Sequence, residues 1–197
     1  MKGNRDPVPP KLRRILEKLS GAGIFREFYL AGGTGLALLL SHRRSVDLDF
    51  FSRTNRLDFK SRGSVLSLLT ALPGWSVSET KDGTLHGKVG TVRLSFFWFP
   101  APLLKPLIRR GPVRIASVED IGLMKIGAVI GRGSRKDFVD LYEICQHVSL
   151  ARLLALGDRK YKNSRDFALQ ALKALSFFED ADHEPSLETV KPLAWKQ

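Results

Sequence analysis

The sequence predicts an α+β fold, a mixed sheet with packed helices followed by a small helical C-terminal part. Period-two alternation is interleaved with helical periodicity up to about residue 116, and only helical periodicity follows. No internal repeat points to a solenoid or propeller. The 197 residues are 43% hydrophobic and 26% charged, which is globular composition with enough chain to bury a real core. The expected division is a core with an N-terminal helix over 1–116 and a helical part with an acidic tail over 117–197.

Taken in order, residues 1–10 read as an extended, Pro-rich leader. Residues 11–20 form a basic amphipathic helix with Leu12, Ile15, Leu16 and Leu19 on one face. A strand at 28–31 breaks at Gly32-Gly33, and an Ala/Leu-rich helix follows over 34–40. The second strand spans 46–51, with Val46, Leu48 and Phe50 facing one way and Asp47 and Asp49 the other. A helix at 64–72 stops at Pro73-Gly74. Strands at 75–79, 84–89 and 91–99 are separated by Asp82-Gly83 and Gly90. Residues 100–112 carry four prolines and read as a basic loop before a short strand at 113–116. Ser117-x-x-Asp120 opens a helix to about residue 130. The next helix, 135–147, has an expected buried stripe of Phe138, Leu141, Tyr142 and Cys145. Helices at 149–156 and 164–178 complete the chain.

The formal net charge of +12 favours a polyanionic partner. Basic residues cluster at Lys105, Arg109, Arg110 and Arg114, at Arg132, Arg135 and Lys136, and at Arg159, Lys160, Lys162 and Arg165, whereas the segment EDADHEPSLE is acidic. No apolar run approaches the ~20 residues of a membrane span, and the N-terminal segment lacks the apolar stretch of a secretory signal. The lone Cys145 forms no intramolecular disulfide and reads as a core residue. A cytoplasmic location is expected.

The stretch LAGGTGLALLLSHRRSVDLDFFS concentrates the chemistry. Carboxylates at i and i+2 of a strand lie about 7 Å apart at their backbones and repel unless positive charge intervenes. Gly32-Gly33-Thr34 follows a strand and opens a helix, where backbone N–H groups suit a phosphate. It is neither a P-loop nor a dinucleotide fingerprint. Two aspartates close to such a turn suit a divalent cation shared with phosphate oxygens, Mg²⁺ in the first instance.

These residues resemble the Gly-Gly-Thr/Ser … His-Arg-x-Ser-x-Asp-Leu-Asp-Phe-Phe signature of the AbiEii/AbiGii-type nucleotidyltransferase toxin family, within the polymerase-β-like superfamily. A second block, ASVEDIGLMKIGAVIGRGSRKDFVDLYEI over 116–144, is similar to the family's Lys … Arg-x-x-x-Lys-Asp-x-x-Asp-Leu-Tyr pattern. The resemblance implies a polymerase-β-like sheet, an NTP substrate and Mg²⁺ or Mn²⁺. It implies Asp47 and Asp49 as metal ligands, with Lys136, Asp137 and Asp140 completing the catalytic set. It also implies nucleotide binding by Gly32, Gly33, Thr34, Arg44, Ser45 and Lys125, with His42 and Arg43 ordering the turn between helix and strand. For Asp137 and Asp140, a surface ion network with Arg132 and Lys136 is the competing reading.

Active members of the superfamily generally add a third carboxylate from a neighbouring strand. The corresponding segment here, TVRLSFFWF, offers Ser95, on the strand face that also holds Arg93 and Phe97. Three functions are therefore open: transfer of a nucleotide to an RNA hydroxyl, tRNA first, by a toxin with a cognate antitoxin; a nucleotide- or RNA-binding pseudoenzyme; or modification of a partner protein.

Overall fold

The computed structural model describes residues 7–162, 166–190, 193 and 195. The expected leader at 1–10 and Arg165 fall largely or wholly outside them. Among the described residues, seven strands form one mixed sheet in the order β3-β4-β5-β2-β1-β7-β6. The strands are β1 (Tyr29–Leu30), β2 (Leu48–Ser52), β3 (Trp75–Lys81), β4 (Thr84–Val89), β5 (Val92–Trp98), β6 (Ile108–Arg110) and β7 (Val113–Ile115). The helices are α1 (Pro10–Gly21), α2 (Gly32–Leu40), α3 (Phe59–Leu69), α4 (Val118–Gly131), α5 (Arg135–Cys145), α6 (Leu150–Lys160), α7 (Phe167–Leu175) and α8 (Glu179–Asp182). The α+β class is as expected. Among the described residues, no helix is long and apolar enough to cross a membrane.

Alternation decides which sheet face is core. Leu48 and Phe50 on β2 and Leu94 and Phe96 on β5 are fully buried, and the Phe50 and Phe96 rings stack at 4.9 Å. Phe25 and Phe28 meet this face edge-on, at 5.9 Å from Phe50 and 5.4 Å from Phe96. The buried stripe of α1 is Leu12, Ile15, Leu16 and Leu19, as its period dictates. Strand β2 runs parallel to β5 with Asp49 opposite Ser95, so the polar and aromatic residues between the buried ones share the opposite face. One apolar core runs from this sheet into α4, α5 and α6, across the boundary expected at residue 116.

Four local expectations are corrected. Val46 is 48% exposed, and both it and Asp47 precede β2. The segment just before them is held elsewhere: Arg43 bridges Thr189, and Ser45 N–H donates to the Pro7 carbonyl. Helix α3 begins five residues early, because the Asp58 carboxylate accepts from Ser61 N–H and caps it. The expected 100–112 loop contains β6, a three-residue edge strand whose Arg109 and Arg110 face solvent. Tyr142 is 54% exposed, whereas Asp137 and Asp140 are fully buried, so the buried face of α5 is turned toward its carboxylates.

Asp120 anchors the Pro-rich segment. Ser117 caps α4 by accepting from Asp120 N–H, as the capping-box pattern predicts. The Asp120 carboxylate accepts from Leu104 N–H, Lys105 N–H and the Ser117 hydroxyl. Lys160, fully buried at the end of α6, donates to it at 2.7 Å and to the Pro102 carbonyl at 2.9 Å. Burial pushes the Lys160 ammonium below its ordinary range, against the pull of Asp120. Removing one partner of a buried ion pair leaves an uncompensated charge. Lys160→Met should therefore destabilise the fold by about 3–5 kcal/mol, measured by urea unfolding.

Candidate active site

The Gly-Gly turn exists because side chains occupy the space a Cβ would need. Gly32 has φ +60°, and a Cβ there would lie 2.6 Å from Asp49 Oδ2. At Gly33 it would collide with Arg43 Nη2. The turn thus brings the start of α2 directly against Asp49 and against the guanidinium of the α2–β2 linker. Thr34 is buried. Its hydroxyl is bonded to Ser45 Oγ at 2.8 Å and to the Asp47 carbonyl, which ties α2 to the 45–47 segment instead of pointing into the cleft.

Behind the turn lies a buried charge network. Asp140 accepts from Arg43 Nε at 2.5 Å, Arg43 Nη2 at 2.9 Å and Lys125 Nζ at 2.6 Å, and its Oδ1 lies 2.7 Å from His42 Nε2. Asp137 accepts from Lys125 Nζ at 2.9 Å, Arg132 Nε at 2.8 Å and the Ser134 hydroxyl at 2.7 Å. Burial alone would raise both carboxyls. The neighbouring cations and hydrogen bonds win, so Asp137 sits at about 2 and Asp140 well below the usual carboxylate range. Lys125, Arg43 and Arg132 set three fixed positive charges against these two carboxylates, leaving a surplus of one.

Asp49 is in the opposite state. Among the described residues no donor reaches its carboxylate. Burial pushes its carboxyl up, Lys125 opposes this, and Asp47 adds to it. The charge of the half-buried Lys136 also acts on Asp49, which places Lys136 within electrostatic reach of the site. Asp47 is one-third exposed and meets Arg93 of β5 through both oxygens, at 3.2 and 2.9 Å. Arg44 lies apart from this cluster: it is exposed and pairs with Glu188 at 3.2 Å.

A cavity of about 400 Å³ opens beside Asp49. Asp49, Lys125 and Arg132 line its polar end, and Phe51, Phe97, Phe99 and Tyr161 form an aromatic wall. Phe51 and Phe97 stack at 5.1 Å, and Phe99 meets Phe51 edge-on at 5.9 Å. Sequence reasoning did not single out this wall. Its signal was present, because Phe51 follows Asp49 by two residues and Phe97 follows Ser95 by two, each on the face of its predecessor. Tyr161 comes from the end of α6, and only the tertiary arrangement delivers it.

The basic clusters are divided by the fold. Arg109 and Arg110 are exposed, but Arg114 is only half-buried and donates to the Phe25 carbonyl. Arg135 is buried, donates to the Ala181 and Asp182 carbonyls and lies over the Trp195 ring. Lys160 holds Asp120.

The residues offer hard oxygen donors for a divalent cation. Asp49 is unpaired and abuts a helix N-terminus, and Asp47 is two residues away. Among the described residues no cluster of three or more His, Cys, Asp or Glu side chains forms a complete cage. Phosphate oxygens and water would have to complete the shell, which is how Mg²⁺ is commonly held.

Comparison with known proteins gives the family and the fold. Residues 14–197 match the family described as nucleotidyl transferase AbiEii toxin, type IV toxin–antitoxin system. The protein aq_aa25 from Aquifex aeolicus is 36% identical over 190 residues, covering 94% of this chain and 89% of that protein. The antibiotic-resistance factor ANT(2'')-Ia superposes with TM-score 0.61 at 19% identity, over 83% of this chain and 97% of that one. The nucleotidyltransferase toxin MenT4 from Mycobacterium tuberculosis gives TM-score 0.50 at 15% identity, over 74% and 62% of the two chains. The structural likenesses show a nucleotidyltransferase fold.

The low value of Asp137 links the site to stability. Its carboxyl falls from 3.8 to about 2 on folding. The unfolded state therefore binds the proton more tightly, and the stabilisation, present above pH ~4, is lost as pH falls toward ~2. At roughly 1.4 kcal/mol per unit this amounts to about 2 kcal/mol. Acid titration of unfolding free energy should show this loss, and Asp137→Asn should flatten that part of the profile.

Proposed function

Because the chain belongs to the AbiEii nucleotidyl transferase toxin family, we propose that it transfers a nucleotide from an NTP to an acceptor hydroxyl, with RNA, and tRNA first, as the acceptor. The observation that carries this reading is the unpaired Asp49 carboxylate. It sits between the Gly32-Gly33 helix start and a cavity with an aromatic wall and a cationic end.

Each residue then has a physical task. The N–H groups at the start of α2 receive the polyphosphate. Lys125 and Arg132 add the surplus positive charge of the Asp137/Asp140 network, and Lys136 lies within reach of the same anion. Phe51, Phe97, Phe99 and Tyr161 stack against the base. Asp47 and Asp49 hold Mg²⁺ or Mn²⁺. When bound, the ion neutralises phosphate charge and polarises the reacting oxygens. Asp137 and Asp140 are positioning residues: their oxygens are taken by cations, and carboxyls held that low are weak bases. Thr34 and Ser45 fix the turn, while Arg44 serves the C-terminal contact. The family description supports a toxin role with a cognate antitoxin, acting in the cytoplasm where NTP and RNA are available.

Ser95 favours a second reading. It lies opposite Asp49, where a third carboxylate would stand, and His86 is its partner on β4. Two carboxylates suffice for a metal that arrives on the nucleotide, but are less suited to activating the acceptor hydroxyl. A weakened enzyme, or a binding protein of the same fold, follows from that.

Calorimetric titration with Mg²⁺–NTP tests the main reading. Asp47→Asn with Asp49→Asn should abolish binding while leaving the protein folded, and unchanged affinity would overturn the metal assignment. Ser95→Asp should raise transfer of labelled nucleotide to tRNA if the site is degraded, and inhibition of a brisk wild-type reaction would remove the second reading. RNA affinity should fall steeply with salt, by about one logarithmic unit per tenfold salt for each phosphate contacted. Salt-insensitive binding would redirect the search to a protein acceptor.

A further inference from the structure

Arg93 occupies both oxygens of a carboxylate that the reading above gives to a metal. Its Nε lies 3.2 Å from Asp47 Oδ1 and its Nη2 lies 2.9 Å from Oδ2. Asp49 lies opposite Ser95 in the parallel β2–β5 pair, so Arg93 stands one side-chain step earlier on the same face of β5. Its side chain is 74% exposed, and Asp47 is the acid it meets. An exposed pair of this kind is weak, so a stronger ligand can exchange it. While Arg93 holds both Asp47 oxygens, its charge and the lone pairs it occupies disfavour a divalent cation there. Once free, the guanidinium stays within electrostatic reach of Asp49, which lines the cavity, and a bound polyphosphate would be the large anion beside it. Its planar fork suits phosphate oxygens as well as it suits carboxylate.

We propose that Arg93 is a displaceable placeholder on Asp47, which disfavours a free divalent cation and moves to the phosphates when a metal–nucleotide complex enters. This deepens, and rests on, the nucleotidyltransferase reading above. With Arg93 on Asp47, Asp49 is the one unengaged carboxylate of the pair, too little to hold a hard cation well. With nucleotide present, phosphate oxygens supply the missing ligands, and Arg93 exchanges one anion for another.

The test uses Mn²⁺ alone, followed by electron paramagnetic resonance, and then Mg²⁺ with the four α,β-methylene NTP analogues, followed by calorimetry. Arg93→Gln should tighten Mn²⁺ alone about two- to fivefold, the range an exposed pair supports. It should weaken the best-bound analogue about tenfold, as expected for loss of a charge-assisted hydrogen bond. Arg93→Lys keeps the charge but loses the fork, so it should fall between wild type and Arg93→Gln in both measurements. Arg109→Gln removes an equal charge four strands away, at the sheet edge, and should change neither. Equal effects of Arg93→Gln and Arg109→Gln would overturn the proposal, as would Mn²⁺ affinity unchanged in Arg93→Gln while Asp49→Asn abolishes it. Tighter Mn²⁺ with unweakened analogue would overturn the hand-over to phosphate. If Asp49→Asn leaves both affinities unchanged, the metal site itself fails, and that result is distinct from failure of the placeholder.

Discussion

The buried Asp140 carboxylate ties the molecule together at its functional end. Arg43 and His42 reach it from the segment after α2, and Lys125 reaches it from α4. Asp140 itself is on α5, so one ion set joins two helices to the linker that leads into β2. A buried carboxylate tolerates that position only with several donors in good geometry. Those donors fix where the linker runs, and the linker fixes where Asp47 and Asp49 emerge. The two glycines follow from the same constraint: the Arg43 guanidinium and the Asp49 carboxylate take the volume that side chains at 33 and 32 would fill.

The network sets charge as well as position. Three fixed cations around two carboxylates leave positive charge facing the cavity. Asp49 stands in front of that surplus without a donor of its own, so its ionised form is disfavoured by burial and has no hydrogen bond to compensate it. Asp47 is discharged differently, by a solvent-exposed arginine on the neighbouring strand. The repulsion expected between the two aspartates is therefore relieved unequally, with protein charge on the outer residue and an open position at the inner one.

The aromatic wall follows from pleat geometry. The strand register that buries Phe50 and Phe96 turns Phe51 and Phe97 to the functional face beside Asp49 and Ser95. Core and cavity are thus two faces of the same two strands. A one-residue slip of β2 against β5 would bury Asp49 and turn Phe50 out of the core.

Periodicity and turn chemistry along the chain were enough to read the α+β class, the α1 stripe, the β3–β4–β5 meander and the Ser117 cap, because each depends on neighbours within a few residues. The Gly-Gly turn was legible for the same reason, whereas Asp47, expected on the strand with Asp49, lies just before it. The roles of Thr34, Arg44, Tyr142 and the basic clusters were not. Thr34 turns inward because Ser45 and the Asp47 carbonyl lie beside it. Tyr142 faces water because α5 presents Asp137 and Asp140 to cations held on other elements. Arg135 is drawn inside by carbonyls at the end of α8. Pattern analysis places charges outside by default, and these buried charges are stable only with partners many residues away. Tertiary contact alone could decide them, because the free energy of a buried charge is set by the groups around it and not by its place in the chain.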